Sequence, residues 1–154
     1  MRKYEAMAKI EPVIEKWHAH MRGELPGGLD ELLADDVVFY SPIVYTPQRG
    51  KEITKLYLQA AGQTLPGEKS SSAAPSGDEA SARFHYTKIV MTDDTAVLEF
   101  ETTVEGKYVN GVDIFRCNDA GRIVEIRVML RPLQAINLVH QQMGRALEAM
   151  KPAD

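Results

Sequence analysis

The sequence predicts an α+β fold: a cone-shaped, strongly curved, mostly antiparallel sheet with three to four helices that enclose a cavity. Two alternating stretches flank a turn at Asn118–Gly121, two more lie between residues 84 and 104, and helical stripes of apolar residues occur near both ends of the chain. Helices gathered on one side of a largely antiparallel sheet define this class. A curved sheet that helices close over leaves an internal space.

The clearest element is the predicted hairpin over residues 107–132. Asp-Ala-Gly at its centre supplies turn residues, and Gly121 is free to take a positive φ. The returning strand alternates strictly, with one face formed by Val124, Ile126, Val128 and Leu130 and the other by Glu125, Arg127 and Met129. On the outgoing strand one face carries Val109, Asp113, Phe115 and Cys117. If that face lies inside, the carboxyl of Asp113 is among apolar side chains, which is the strongest functional indication in the sequence.

The first half of the chain predicts two amphipathic helices around a strand. The first helical stripe consists of Met7, Ile10, Ile14, Trp17 and Met21. Pro12 predicts a separate or kinked first turn, and Gly23 ends the helix. A short helix through Leu29, Leu32 and Leu33 precedes a strand at Val37–Tyr40, which is broken at Ser41–Pro42. The second stripe, which fades near Gly62, consists of Ile53, Leu56, Tyr57 and Ala60.

The second half begins with a low-complexity segment, residues 66–81. Its Ser, Ala, Gly and Pro content cannot build a core, so we predict a flexible surface loop there. Strands at Phe84–Met91 and Thr95–Val104 form a hairpin around Asp93–Asp94. After Pro132 a final helix buries a stripe formed by Leu133, Ile136, Val139, Met143 and Leu147.

Composition narrows the class of protein. A chain of 154 residues with 44% hydrophobic and 26% charged residues fits one globular domain over residues 1–154. A net charge of −4 with scattered basic residues argues against nucleic acid or an anionic membrane surface as partner. Neither a signal core nor a membrane span is evident, so we expect a cytoplasmic protein. The histidines and the single cysteine form no metal signature, and no cofactor is expected.

Three segments resemble a known superfamily. LADDVVFYSP, GKEITKLYLQAA and VDIFRCNDAGRIVEIRV are similar to the nuclear transport factor 2-like superfamily, with features of its SnoaL-like and ketosteroid isomerase-like branches. The resemblance covers nearly the whole chain except residues 66–81. It implies the cystatin-like cone fold, which hosts enzymes, ligand binders and assembly modules alike.

The resemblance to ketosteroid isomerases assigns roles to four positions. Asp113 in VDIFRCN matches their interior aspartic acid, and Tyr57 matches a supporting tyrosine. Ser41 stands where their general-base aspartate precedes a proline, and Trp17 stands where their oxyanion tyrosine lies. A serine has no basic group of its own, and an indole nitrogen donates but cannot cycle a proton. Steroid isomerisation by that mechanism is therefore not expected.

We predict Asp113 as the candidate catalytic residue of a cavity that binds a small, mostly apolar organic ligand. The predicted ligand-binding residues are Trp17, Tyr57, Ser41, Phe115, Ile126, Val128 and Leu130. Four of these residues have a plainer interpretation: Asp113 as a structural carboxylate, Trp17 and Tyr57 as core wall, and Ser41 as a turn residue. We favour the plainer interpretation for Trp17, Tyr57 and Ser41, and leave both open for Asp113. His18 and His20 could serve as a base at the cavity mouth, but their position off the apolar stripe favours solvent-facing side chains.

The function itself stays open between two main hypotheses. One is a cofactor-independent isomerase, cyclase or hydratase that uses Asp113, and the other is a ligand carrier without turnover. A third is a protein-interaction module. The outer sheet face carries apolar Val97, Ile114 and Met129 among Glu99, Glu101, Arg116, Glu125 and Arg127. An apolar patch rimmed by charge predicts a homodimer through this face, which the resemblance also implies.

Overall fold

The computed structural model describes residues 8–65 and 83–150 as a mixed α+β fold. The helices are α1 (Ile10–Met21), α2 (Gly28–Leu32), α3 (Lys51–Thr64) and α4 (Leu133–Ala149). The strands are β1 (Leu33–Tyr40), β2 (Gln48–Arg49), β3 (His85–Thr92), β4 (Thr95–Val104), β5 (Lys107–Cys117) and β6 (Ile123–Arg131). The predicted loop at residues 66–81 and the stripe residue Met7 lie outside the described residues.

The six strands form one curved, open sheet in the order β2-β1-β6-β5-β4-β3. Strands β3 to β6 form the predicted antiparallel series, and β1 lies parallel to β6 at the other side of the hairpin. The apolar face of this sheet packs against α1, α3 and α4. The predicted α+β class, with a curved sheet and helices over it, is confirmed.

The central hairpin forms as predicted, with one local difference. Gly121 has a φ of 77° at the turn, and Asp113 and Phe115 are buried on the inner face opposite Val128 and Ile126. However, the register shifts between Arg116 and Cys117, so that Cys117 pairs with Ile123. This bulge places Ile123 in the buried core instead of Val124, because an extra residue reverses the alternation beyond it.

Helix α1 is continuous from Ile10, so the predicted separate or kinked first turn is wrong. Pro12 lies in the first turn, where a backbone N–H has no partner within the helix and its absence costs little. The Ile10 N–H donates to the Asp93 carbonyl at 3.0 Å and ties the start of α1 to the β3–β4 turn. Gly23, at φ 74°, follows the end of the helix as predicted.

Several boundaries and stripe positions differ from the sequence prediction. Leu33 begins β1 instead of ending the short helix, and the strand predicted from Val37 therefore starts four residues earlier. Leu133 is 69% exposed, because α4 begins outside the core and its first buried residue is Ala135. None of the helices within residues 8–65 and 83–150 is long and apolar enough to cross a membrane.

Candidate functional site

A cavity of about 710 Å³ lies between the inner face of the sheet and the helices α1, α3 and α4. Its sheet side is formed by apolar residues of β1, β4, β5 and β6, namely Phe39, Phe100, Phe115, Ile126, Val128 and Leu130. Residues of α4, among them Val139, Met143 and Leu147, cover the opposite side. Cavities of about 300–1,000 Å³ with mostly apolar walls are typical of small-molecule sites.

All of the predicted site residues lie on the wall of this one cavity. They are Asp113, Trp17, Tyr57, Ser41, Phe115, Ile126, Val128 and Leu130. They come from α1, α3, β5, β6 and the segment after β1, so the fold brings together positions that are far apart in the sequence. Their roles in binding or catalysis stay predictions.

Asp113 is the buried charge-bearing group of the cavity. It lies on the inner face of β5, level with Leu98 of β4 and Val128 of β6, and is only 8% exposed. Its Oδ2 accepts a hydrogen bond of 3.3 Å from the Tyr86 hydroxyl. Burial raises the pKa of the Asp113 carboxyl from 3.8 to about 7, because desolvation of the carboxylate outweighs the opposing hydrogen bond from Tyr86. The group is thus held between its protonated and ionised forms near neutral pH.

Tyr86 is a site residue that sequence reasoning missed. The Trp17 indole Nε1–H donates to the Tyr86 hydroxyl oxygen at 2.8 Å, and the Tyr86 O–H donates onward to Asp113. Burial, with the charge of Asp113 beside it, raises the pKa of Tyr86, so the phenol stays protonated. The three side chains form a hydrogen-bonded chain directed at the carboxyl, in which the Trp17 N–H is used by Tyr86.

A sequence signal for Tyr86 existed in the register of the β3–β4 hairpin. Tyr86 pairs with Phe100, which the alternation of β4 places on the inner face. A bulge between Tyr86 and Lys88 interrupts the alternation of β3. Because the side chains after the bulge change faces, the pattern of the strand as a whole does not assign Tyr86 to the interior.

Aromatic rings surround the polar chain. The Trp17 ring packs on Phe115 with centroids 4.8 Å apart, and the Tyr57 ring packs on Phe39 at 5.5 Å. Both residues therefore belong to the wall, as their plainer interpretation proposed. Tilted ring pairs of this kind stabilise the packing beyond simple burial.

Ser41 combines the two roles considered for it. Its Oγ accepts hydrogen bonds from the N–H groups of Ile43 at 3.1 Å and Val44 at 3.2 Å, which is the favoured turn role. The same residue lines the cavity. A serine hydroxyl is a much weaker base than the carboxylate of an aspartate, so Ser41 cannot act as the general base.

His18 and His20 differ from their favoured interpretation as solvent-facing side chains. Both are half-buried and line the cavity, with ring centroids 5.5 Å from Tyr86 and 5.7 Å from Trp17 respectively. The cavity is wide enough that residues on either side of the buried stripe of α1 also line it. Burial lowers the pKa of both imidazoles, and Arg22 adds to the effect at His18, so both are neutral near pH 7.

Within residues 8–65 and 83–150, no group of three or more His, Cys, Asp or Glu side chains is arranged to hold a metal ion. Cys117 is buried on the Asp113 face of β5, and burial raises the pKa of its thiol. It lies off the cavity wall and packs in the core, as a small apolar side chain does.

A curved sheet whose inner face and covering helices enclose an apolar cavity defines a protein of the nuclear transport factor 2-like class. Within that class, the chain belongs to the SnoaL-like domain family, whose model matches residues 14–126. No curated protein sequence matches the chain significantly.

Solved structures agree with this assignment. A steroid delta-isomerase from Pseudomonas aeruginosa superposes with a TM-score of 0.76 at 27% identity, covering 96% of this chain and 97% of the isomerase. An uncharacterised cystatin-like protein from Silicibacter pomeroyi gives a TM-score of 0.70 at 24% identity, with 89% and 86% coverage. A candidate SnoaL-like polyketide cyclase from Mesorhizobium loti gives 0.53 at 17% identity, with 79% and 98% coverage. The last two show likeness of fold alone.

Proposed function

We propose that this protein binds a small, mostly apolar organic molecule that carries a carbonyl or related oxygen, and isomerises or cyclises it by cofactor-free acid–base chemistry. The observation that carries the proposal is the Asp113 carboxyl, buried in an apolar cavity with a pKa of about 7 and joined to Tyr86 and Trp17 by hydrogen bonds. The likeness to a steroid delta-isomerase supports a substrate of this size and polarity.

Asp113 is suited to hold the oxygen of such a ligand. In its protonated form the carboxyl donates a hydrogen bond, which is strong because little water competes inside the cavity. The chain from Trp17 through Tyr86 supplies a donor to the other side of the carboxyl, so charge that develops on it is stabilised. A carboxyl with a pKa near the working pH is also an efficient proton donor and acceptor.

A base is also required, and the imidazoles of His18 and His20 can supply it. Because burial keeps them neutral, each has a nitrogen lone pair that can accept a proton. In the proposed step an imidazole removes a proton from the carbon next to the carbonyl. The C–H electron pair forms a C=C bond, and the carbonyl π pair moves onto the oxygen held by Asp113. If the ligand carries a C=C bond between the second and third carbons from the carbonyl, the imidazolium returns the proton to the third carbon. The oxygen pair then re-forms the C=O bond, the C=C bond ends next to the carbonyl, and the isomerisation is complete.

Exchange of α-protons is the most general test of this chemistry. We expect the protein in deuterium oxide to accelerate deuterium incorporation next to the carbonyl of 5α-androstan-3-one, followed by mass spectrometry. Asp113→Asn should lower this rate by about 100-fold or more, since a lost general acid or base costs roughly 10²–10⁴ in rate. The matched control is Asp119→Asn, the same chemical change on an exposed turn residue.

The outcomes separate the proposal from its alternatives. Equal loss of exchange in Asp119→Asn would mean that the effect is not specific to the cavity. Exchange that survives unchanged in Asp113→Asn would remove Asp113 from the mechanism. The ligand itself is checked by isothermal titration with 5α-androstan-3-one and with 5α-androstane, which lacks the oxygen; we expect the ketone to bind more tightly.

A ligand carrier without turnover is the second candidate function. The observation that favours it is Ser41 at the position of the general-base aspartate, together with a Trp17 N–H already used by Tyr86. A carrier would bind the ketone with no accelerated exchange. The hydrogen bond between two titratable groups, Tyr86 and Asp113, and the imidazoles on the same wall favour the catalytic function instead.

We further propose a homodimer through the outer face of the sheet. Val90 of β3 and Met129 of β6 are 54% and 53% exposed on this face, with Val97 and Ile114 between them. Charges of both signs surround them, with Arg116 and Arg127 paired to Glu125 at 3.5 and 2.9 Å. A second copy related by twofold symmetry offers matching apolar and opposite charged groups.

Met129→Asp should convert the dimer into a monomer, because it places a charge on a half-exposed residue of the apolar patch that the dimer would bury. Light scattering coupled to size exclusion measures the mass of each species. Tyr45→Asp, at a fully exposed residue outside the sheet, serves as control and should leave the dimer intact. A monomeric wild-type protein, or a dimer that survives Met129→Asp, would contradict the proposed interface.

A further inference from the structure

The cavity wall carries many more basic and imidazole side chains than acidic ones. All four histidines of the chain line it, His18, His20, His85 and His140, together with Arg22 and Arg83. Among the described residues on the wall, Asp113 is the single acidic one. The whole chain has 22 acidic and 18 basic residues, so composition alone would favour the opposite bias.

The two kinds of polar group lie at different depths. Asp113 is 8% exposed, whereas the side chain of Arg22 is 58% exposed and that of His85 is 40% exposed. His140 is exposed as well, and His18 and His20 are half-buried. Arg22, His85 and His140 therefore lie toward the open end of the cavity and form a rim there, together with the half-buried Arg83 next to His85. His18 and His20 lie further in, against Tyr86 and Trp17, which lead by hydrogen bonds to the carboxyl of Asp113.

The carboxylates next to Arg22 and His85 hold these two rim residues only weakly. Arg22 Nε lies 2.8 Å from Glu24 Oε2, but both side chains are more than half exposed. His85 Nε2 lies 3.8 Å from Glu101 Oε2, and its Nδ1 lies 2.8 Å from the Arg83 carbonyl oxygen. Exposed ion pairs of this kind contribute little to stability, so an anionic group of a ligand can compete with the glutamates for these side chains. Neutral imidazoles also donate an N–H to a carboxylate.

We propose that the ligand is amphipathic, with an anionic group, a carboxylate in the first place, received by this rim while its apolar body fills the cavity. This inference rests on the proposed function, since it names the substrate class of the same cavity. The buried carboxyl of Asp113 reinforces the orientation: an anion at the inner end would meet a like charge, whereas an anion at the rim meets cations and N–H donors.

Two fluorescent probes that differ by one sulfonate test the proposal. They are 8-anilinonaphthalene-1-sulfonate and the neutral N-phenyl-1-naphthylamine. We expect the sulfonate to bind about tenfold more tightly at low ionic strength, as expected for two partly exposed charge contacts. Its advantage should shrink at about 0.5 M salt, where such contacts are screened, while the neutral probe should not lose affinity.

Matched variants locate the effect. Arg22→Gln with Arg83→Gln should remove the preference for the sulfonate and leave the affinity for the neutral probe unchanged. The control pair, Arg49→Gln with Arg145→Gln, changes the net charge equally at exposed residues off the wall and should keep the preference. Gly144→Phe should displace both probes, because Gly144 lines the cavity and has open space beside its Cα.

The possible results distinguish this inference from the proposed function. If neither probe binds, the apolar cavity does not take ligands and both proposals fail. Equal or tighter binding of the neutral probe would overturn the anionic substrate class and leave the proposed function standing. Equal loss of preference in the control pair, or sulfonate binding that survives Gly144→Phe, would likewise overturn it, because the preference would then arise outside the rim.

Discussion

Asp113→Asn should make the protein more stable at alkaline pH and remove part of its pH dependence. The wild-type carboxyl has a pKa of 3.8 when unfolded and about 7 when folded, so between these values the folded state holds a proton that the unfolded state releases. The free energy of unfolding therefore falls as pH rises from about 4 to about 7 and is level above that. The total is about 4 kcal/mol at about 1.4 kcal/mol per pKa unit.

The asparagine variant carries no proton to lose, and its amide oxygen can still accept from Tyr86. Its stability should match the wild type near pH 4 and exceed it by up to about 4 kcal/mol above pH 7. Urea unfolding of both proteins across this pH range measures the difference in their free energies of unfolding. The other titrating groups are the same in both proteins, so their contributions cancel in this difference. Asp119→Asn is the control. Lys9 lowers the pKa of the exposed Asp119, so this variant should be slightly less stable than the wild type at neutral pH, a small effect opposite in sign to that of Asp113→Asn. Parallel pH profiles for Asp113→Asn and wild type would contradict the buried, raised carboxyl.

Gly111→Val should cause the largest loss of stability from a packing change. Gly111 lies on the inner face of β5, opposite Phe100, where a Cβ would stand 2.5 Å from Phe100 Cζ and 2.7 Å from the Met129 carbonyl oxygen. The backbone contact cannot be relieved by a rotamer change. Overpacking of this kind costs about 1–3 kcal/mol or more, and a branched side chain takes the upper part of that range.

Thermal and urea unfolding measure the loss, and Gly144→Ala provides the control. Gly144 has open space around the position of a Cβ and lies in helix α4, so alanine should leave stability equal or raise it by about 0.5–1 kcal/mol. A Gly111→Val protein as stable as the wild type would mean that β5 and β6 do not pack as closely as described.

The local patterns predicted most of the architecture. The strict alternation of β4 and β6, the turn at Gly121 and the stripe through Ile10, Ile14 and Trp17 each correspond to an observed element. These features depend on near neighbours in the chain, which is where periodicity is informative. The interior position of Asp113 followed from the same alternation, read together with the family resemblance.

The missed features depend on distant pairings or on irregular backbone. The parallel contact between β1 and β6 joins segments more than eighty residues apart, and no local pattern encodes it. Bulges beside Tyr86 and Arg116 shift the alternation of inward and outward side chains. For this reason the sequence pattern did not assign Tyr86 to the interior, and it predicted Val124 as buried where the structure buries Ile123. The histidines of α1 were misassigned because a helix that faces a cavity presents more than one stripe to the interior.

The titration of the Asp113 carboxyl is the most direct measurement of the central claim. Carbon-13 NMR of aspartate-labelled protein, assigned with Asp113→Asn, follows this group with and without 5α-androstan-3-one. We predict a pKa of about 7 in the free protein, and a higher value with the ketone bound, because the ligand excludes water and accepts a hydrogen bond from the protonated form. A pKa near the ordinary 3.8, unchanged by the ketone, would contradict the account.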